Sequence, residues 1–281
     1  MEPTLPNPRF ALTPPEGLSS QLSLVIGTGQ AESNITLHDE AKGLFCGLYS
    51  VELNPPLRKP ALMKMIENSG WALPSSALVS VWDHRFCLVP QSLFDASHAE
   101  ALFQTACGAP ADDEIILFNT LKNPEAVLLF SIQKDLKQET DATFQKTAYF
   151  HVMQPLLRDL SDLPETESAH KILIHIRSGR FDMLIAENGK PVFLNSFPYQ
   201  SPEDVVYFCL FSMETLGLKA EKVPVHISGQ VERQSMVYRQ LHKYVRNLNS
   251  IARTRHAAFS QELDVLPRHF FNALFQLPFC E

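Results

Sequence analysis

Glycine is scarce in this sequence, with 11 residues in 281, while proline reaches 20. That balance argues against a glycine-rich cofactor cradle and for well-punctuated loops. No Walker loop, Gly-x-Ser-x-Gly elbow or His-Glu-x-x-His helix is present, which removes the site types those motifs build. The five cysteines, Cys46, Cys87, Cys107, Cys209 and Cys280, contain no Cys-x-x-Cys pair. Their odd number and mostly apolar neighbours predict reduced, buried thiols in a cytoplasmic protein. Ten histidines are dispersed without a metal-binding spacing, so no metal site is expected. Long apolar runs are missing as well. The longest, about Val205 to Met213, falls far short of the ~20 residues needed to span a bilayer, and the first residues lack the charged flank and apolar core of a signal peptide. Net charge is −7, which disfavours the body of the chain as a nucleic-acid binder.

What is present is a repeated order of elements. The first twenty residues, with five prolines, read as a loosely held arm (1–20). Segments 21–27, 34–38 and 44–53 then read as three strands closed by Pro55-Pro56. A helix is expected over 58–69 and ends at Gly70, and 77–82 reads as a fourth strand. The same succession recurs as strands over 171–176, 181–186 and 192–197. Asn188-Gly189 marks a tight hairpin, because both turn positions want a positive φ. Ser201-Pro202-Glu203-Asp204 then opens a helix that stops at Gly217, and 223–228 is again a strand. Between the repeats, about 86–135 reads as a small strand–helix–strand–strand insert with a hairpin around Lys122-Asn-Pro124. A helix over 145–160 leads into the second repeat. A long helix over 233–251 follows that repeat, and then a Phe-rich tail.

The implied fold class is α/β, a duplication in which each lobe carries a mixed sheet built from strand-strand-strand-helix-strand, the first lobe holding the insert. The lobes are expected over 21–144 and 145–281. This order resembles the actin-like (ribonuclease H-like) ATPase fold. The insert looks like that of the bacterial pilus-assembly and cell-division members, and the whole chain resembles a bacterial domain family of unknown function. In active members the first hairpin carries Asp-x-Gly-Thr for the terminal phosphates. Here the matching stretch is Val25-Ile26-Gly27-Thr28, with valine at the acid's position. The second loop of active members has aspartates around a glycine run. Here HIRSGRFD keeps Gly179 and Asp182, and His175 stands in place of the metal-linked aspartate. The glycine pair that ends the adenosine segment is reduced to Gly229.

Phosphoryl transfer rests on charge stabilisation by Mg²⁺, an ion that prefers oxygen ligands. Valine and a neutral histidine supply none. The resemblance without its acids therefore implies a non-catalytic actin-fold scaffold or interaction protein. It would bind nucleotide weakly at most, in an inter-lobe cleft lined by Gly27, Thr28, His175, Gly179, Asp182 and Gly229. The expected partner is a protein. Two alternatives stay open: a divergent ATP-dependent phosphotransferase using His175 and Asp182, with ATP and Mg as cofactors, and an RNA-associated factor. The latter would use residues 233–255, where Arg239, Lys243 and Arg246 are expected on one helical face as an anion- or partner-binding set. Segment 233–261 carries six Arg and Lys and no acid. The apolar tail (Phe270, Phe271, Leu274, Phe275, Leu277, Phe279) reads as core packing or as a docking peptide, and Ser168-Ala-His-Lys171 as a chance Ser-x-x-Lys.

Overall fold

The computed structural model describes residues 6–53 and 62–280. Pro55-Pro56 and the expected start of the first helix lie outside the described residues. The elements in chain order are β1 (Phe10–Leu12), β2 (Leu22–Thr28), β3 (Glu32–Asp39), β4 (Leu44–Glu52), α1 (Leu62–Ser69), β5 (Ser76–Val81) and β6 (Phe86–Pro90). Next come α2 (Ala99–Cys107), β7 (Glu114–Leu121), β8 (Ala126–Gln133), α3 (Lys134–Thr143), β9 (Lys146–His151) and α4 (Met153–Asp162). The second triplet is β10 (His170–Arg177), β11 (Arg180–Glu187) and β12 (Lys190–Pro198), followed by α5 (Pro202–Thr215), β13 (Val225–Gly229), α6 (Met236–Tyr244) and β14 (Leu248–Ser250). The chain closes with β15 (Ala258–Phe259), α7 (Gln261–Asp264) and α8 (Asn272–Gln276). It divides into two compact units, the first being 1–154, 255–265 and 277–281, the second 155–254 and 266–276.

In the first unit the main sheet runs β1-β4-β3-β2-β5-β9, with β15 also paired to β4. Strands β2 to β4 are antiparallel, and β5 and β9 extend the sheet in parallel from β2. In the second unit the order is β12-β11-β10-β13-β14, with the same antiparallel triplet and the same parallel extension. The duplication expected from element order is therefore present as a repeated sheet topology. The insert is a separate antiparallel sheet, β6-β8-β7, whose Val127 and Leu129 pack on Phe103 of α2.

Strand alternation places the two cores. In the second unit Ile172, Ile174, Ile176, Phe181, Met183, Ile185, Val225 and Ile227 face α5 and α6, so His175, Arg177, Asp182 and Ser228 share the opposite face. Helix α5 starts as its sequence dictates. Ser201 Oγ accepts from the Asp204 amide at 3.3 Å, and Asp204 Oδ2 accepts from the Ser201 amide at 2.9 Å, a reciprocal cap. Asn188 and Gly189 turn the β11–β12 hairpin at φ 49° and 76°.

Three expectations are corrected. The segment read as an arm contributes β1, paired along Phe10–Leu12 to β4. Residues 145–160 are not one helix: Lys146–His151 is β9, parallel to β5, and only then does α4 begin. The long helix over 233–251 is also shorter. It ends at Tyr244, Val245 is extended, and Leu248–Ser250 joins the sheet beside β13. Pairing with β13 satisfies the backbone of 248–250, while Val245 and Leu248 still enter the core. The tail is core packing, as Phe270, Phe271, Leu274, Phe275 and Leu277 are buried. No disulfide joins any of the five cysteines, of which three are buried and two half-buried.

Candidate functional site

Each unit carries a polar cross-strand row on the sheet face turned away from its larger core. In the second unit the register lines up Ser196, Asp182, His175 and Ser228. In the first it lines up Ser50, Asn34, Gly27 and Ser80. Ser–Asp–His–Ser and Ser–Asn–Gly–Ser are the trace of the duplication in residue type, and all but Gly27 are buried polar side chains.

The second row is electrostatically closed on itself. Arg177 reaches Asp182 with two hydrogen bonds, Nε to Oδ2 at 2.7 Å and Nη2 to Oδ1 at 2.8 Å, and both residues are buried. Ser196 Oγ accepts from Arg177 and from Arg180, and the Ser196 carbonyl accepts a further bond from Arg180 at 3.0 Å. The two arginines flanking Gly179 are thus neither free anion ligands nor solvated hairpin residues. Burial alone would raise the Asp182 pKa, but the Arg177 charge and hydrogen bonds hold it below the ordinary carboxylate value. His175 Nδ1 is hydrogen-bonded to Ser228 Oγ at 2.8 Å. Burial pushes its imidazole down to about 4, so it is neutral at pH 7 and mismatched to general-base work there. Gly179 turns the hairpin at φ 69°, and its carbonyl accepts from the Tyr199 amide.

The first row is closed sterically. The Trp82 indole lies against Gly27 where any β-carbon would sit, and a β-carbon on Gly29 would stand 3.2 Å from Trp82. Trp82 is anchored by its Nε1–H to Ser80 Oγ at 3.1 Å and by its amide to the Thr28 carbonyl at 2.8 Å. Gly27 thus leaves room for this close side-chain approach. The Thr28 hydroxyl is paired with that of Ser33 at 3.1 Å. Asn34, fully buried, has neither amide atom hydrogen-bonded among the described residues.

Gly229 has φ 89°, and a β-carbon there would strike the Ile176 carbonyl. Its amide donates to the His269 carbonyl, and His269 Nε2 lies 2.6 Å from the Val231 carbonyl oxygen. The tail thus bonds to the segment where the resemblance put an adenosine. Gly27 and Thr28 belong to the first unit and His175, Gly179, Asp182 and Gly229 to the second. Of these, His175 and Asp182 are direct cross-strand partners.

A Mg-nucleotide fits these residues poorly. The only carboxylate in the second row is neutralised by Arg177, and the first glycine loop is filled by an indole. Among the described residues no group of three or more His, Cys, Asp or Glu is placed to hold a metal. Sequence reasoning missed Trp82, Arg177 as the partner of Asp182, Ser196 and His269. The Arg177–Asp182 pair had a signal, since a two-residue turn at 178–179 puts positions 177 and 182 on one face.

The basic set also rearranges. Arg239 and Lys243 are exposed on α6, whereas Arg246 lies beyond the helix end. The same two helices carry large exposed apolar side chains: Tyr207 (60%) stacked on Phe211 (55%) from α5, and Met236 (52%) and Tyr244 (54%) from α6; Arg239 Nη2 lies 3.0 Å from Met236 Sδ. Lys171 of the Ser-x-x-Lys spacing is tied to the Leu163 carbonyl and to Glu165. No helix among the described residues is long and apolar enough to cross a membrane.

The model of a family described as a protein of unknown function (DUF3822) matches residues 19–248. A solved structure of a Bacteroides thetaiotaomicron protein with actin-like ATPase fold and unknown function is 20% identical. It covers 94% of this chain and 97% of its own, with a TM-score of 0.72. The PilM–PilN type IV pilus biogenesis complex contains a chain 11% identical, covering 92% of this one and 97% of its own, with a TM-score of 0.62. No curated protein matches the chain.

Proposed function

The chain belongs to the DUF3822 family and has the actin-like ATPase fold, and from that premise we propose that it is a non-catalytic scaffold that works by binding another protein. The observation that carries this reading is the buried Arg177–Asp182 pair, which consumes the charge a metal would need. The indole over Gly27 supports it independently. Fold persists where function has changed, and here the row positions persist while their side chains bind one another.

Mixing the protein with saturating Mg-ATP is expected to give no phosphate release above the buffer blank and no saturable change in Trp fluorescence. Metal-dependent turnover that disappears in Asp182→Asn and His175→Gln would instead establish the phosphotransferase reading.

The α5–α6 face supports a protein partner. Exposed aromatics on helices that also carry Arg239 and Lys243 suit an acidic segment with apolar side chains of its own. The PilM relative is itself solved in a complex with another protein. Tyr207→Ser with Phe211→Ser is expected to abolish capture of the partner while leaving the melting temperature within about 2 °C, because both side chains are already in water. Undiminished capture would move the partner's site elsewhere.

A further inference from the structure

The Arg246 side chain, separated from α6, joins a different set. An open surface cavity of about 400 Å³ is lined by Lys222 and Arg246, by Thr166 and Ser168, by Asn247 and Asn249, by one carboxylate, Glu167, and by the apolar Pro224 and Leu248. Its position follows from topology. Ser168 precedes β10, Lys222 and Pro224 precede β13, and Arg246 and Asn247 precede β14. β13 pairs in parallel with β10 on one side and with β14 on the other. The cavity therefore opens at their N-terminal ends, while Arg177 and Gly229 lie at the C-terminal ends of β10 and β13.

The charge there is only partly compensated, with two cations and one carboxylate in the lining. Ion pairs of this unit include Lys171 with Glu165, Arg177 with Asp182 and His170 with Glu187, and none among the described residues engages Lys222 or Arg246. Two cations from segments 24 residues apart (246 − 222) are thus held around one hollow, with hydroxyl and amide donors between them. Its volume lies within the range of small-molecule sites, roughly 300–1,000 Å³. The lining is mainly polar, so the occupant is hydrophilic, and two cations against one carboxylate select an anion. Guanidinium, ammonium, hydroxyl and amide groups together match the several acceptor oxygens of a phosphate.

We propose that this cavity is a binding site for a phosphate group, gripped by Lys222 and Arg246 and oriented by Ser168 and Asn249. The test is calorimetric titration of the full chain with phenyl phosphate, inorganic phosphate, acetate and a short single-stranded RNA. Saturable one-to-one binding is expected for both phosphates, with little for acetate. Lys222→Gln and Arg246→Gln are each expected to weaken it about tenfold, the usual effect of losing a charge-assisted hydrogen bond. Lys222→Arg should retain it. Both substituted side chains are exposed, so unchanged melting temperatures separate lost binding from lost folding. Affinity unaltered in the double variant would overturn the assignment. So would equal binding of acetate, or binding of the RNA that neither phosphate competes away. The two tests stay distinguishable, because phosphate release and the fluorescence of Trp71 and Trp82, both in the first unit, do not report on a cavity of the second.

Discussion

Replacing Asp182 with alanine is expected to lower the stability of the second unit by about 3–5 kcal/mol, the range for breaking a buried ion pair from one side. The reason is the guanidinium left behind. Arg177 is only 7% exposed and makes two of its hydrogen bonds to this carboxylate, and Ser196 cannot replace the lost charge. Converting both members to apolar residues, Arg177→Met with Asp182→Leu, is expected to recover most of the loss, because the desolvation cost disappears along with the attraction. Urea denaturation midpoints of the two single variants and the double variant measure this. A single substitution costing no more than a surface change would show that the pair does not close the site. The pH dependence has a definite sign. Asp182 has a folded pKa below its unfolded one, so its contribution is present above about pH 4 and is lost as the pH falls through the folded value.

Asp159→Asn is expected to act in the opposite direction and to stabilise the protein at pH 8 by up to about 4 kcal/mol. Asp159 is 3% exposed on α4. Its Oδ1 accepts from Asn272 at 2.6 Å and from Gln276 at 2.9 Å, while Oδ2 has no partner among the described residues. Burial, helped by the neighbouring charge of Asp162 and opposed by the two amides and Arg158, pushes its pKa up to about 7. The folded state therefore holds a proton that the unfolded state releases near pH 4. Stability from this group is complete below that value and is lost as the pH rises through about 7. Asparagine keeps the acceptor for both amides and removes the titration, so its advantage should grow from zero near pH 4 to its maximum by pH 8. Equal gains at both ends of that range would mean that packing, and not the charge, is responsible. His175 opposes Asp159 across part of this window. Its pKa is lowered to about 4, so its contribution is present above about pH 6.5 and lost as the pH falls. Between these values the two slopes partly cancel in the native protein, and Asp159→Asn should uncover an acid sensitivity that the native protein hides.

The triplets of strands were legible because alternation, the Asn188-Gly189 turn and the Ser201-Asp204 cap are local signals that the tertiary fold did not contradict. The misread helix shows where locality ends. Val237, Leu241, Val245 and Leu248 fit a helical stripe, yet Val245 and Leu248 are buried from extended backbone beside β13. An amphipathic pattern says which residues go inward, and backbone pairing decides by what path. Lys146–His151 is a similar case, with Thr147, Tyr149 and Phe150 suited to the strand that β5 templates. In the site, the missing acids were visible at Val25 and His175. The indole that fills the first loop was not, because nothing in the order of residues sets Trp82 over Gly27 until β2 and β5 are in register.

The division of the chain has a practical consequence for dissecting it. The backbone passes from one unit to the other after residues 154, 254, 265 and 276, so the last stretch is stitched alternately into both. A truncation after residue 254 would take β15 from the edge of β4 in one unit. In the other it would remove the His269 carbonyl that holds Gly229 and the two amides that hold Asp159. Neither unit can be excised as a continuous piece of gene, and a C-terminal deletion that reaches past residue 276 should be read as a lesion in two places at once.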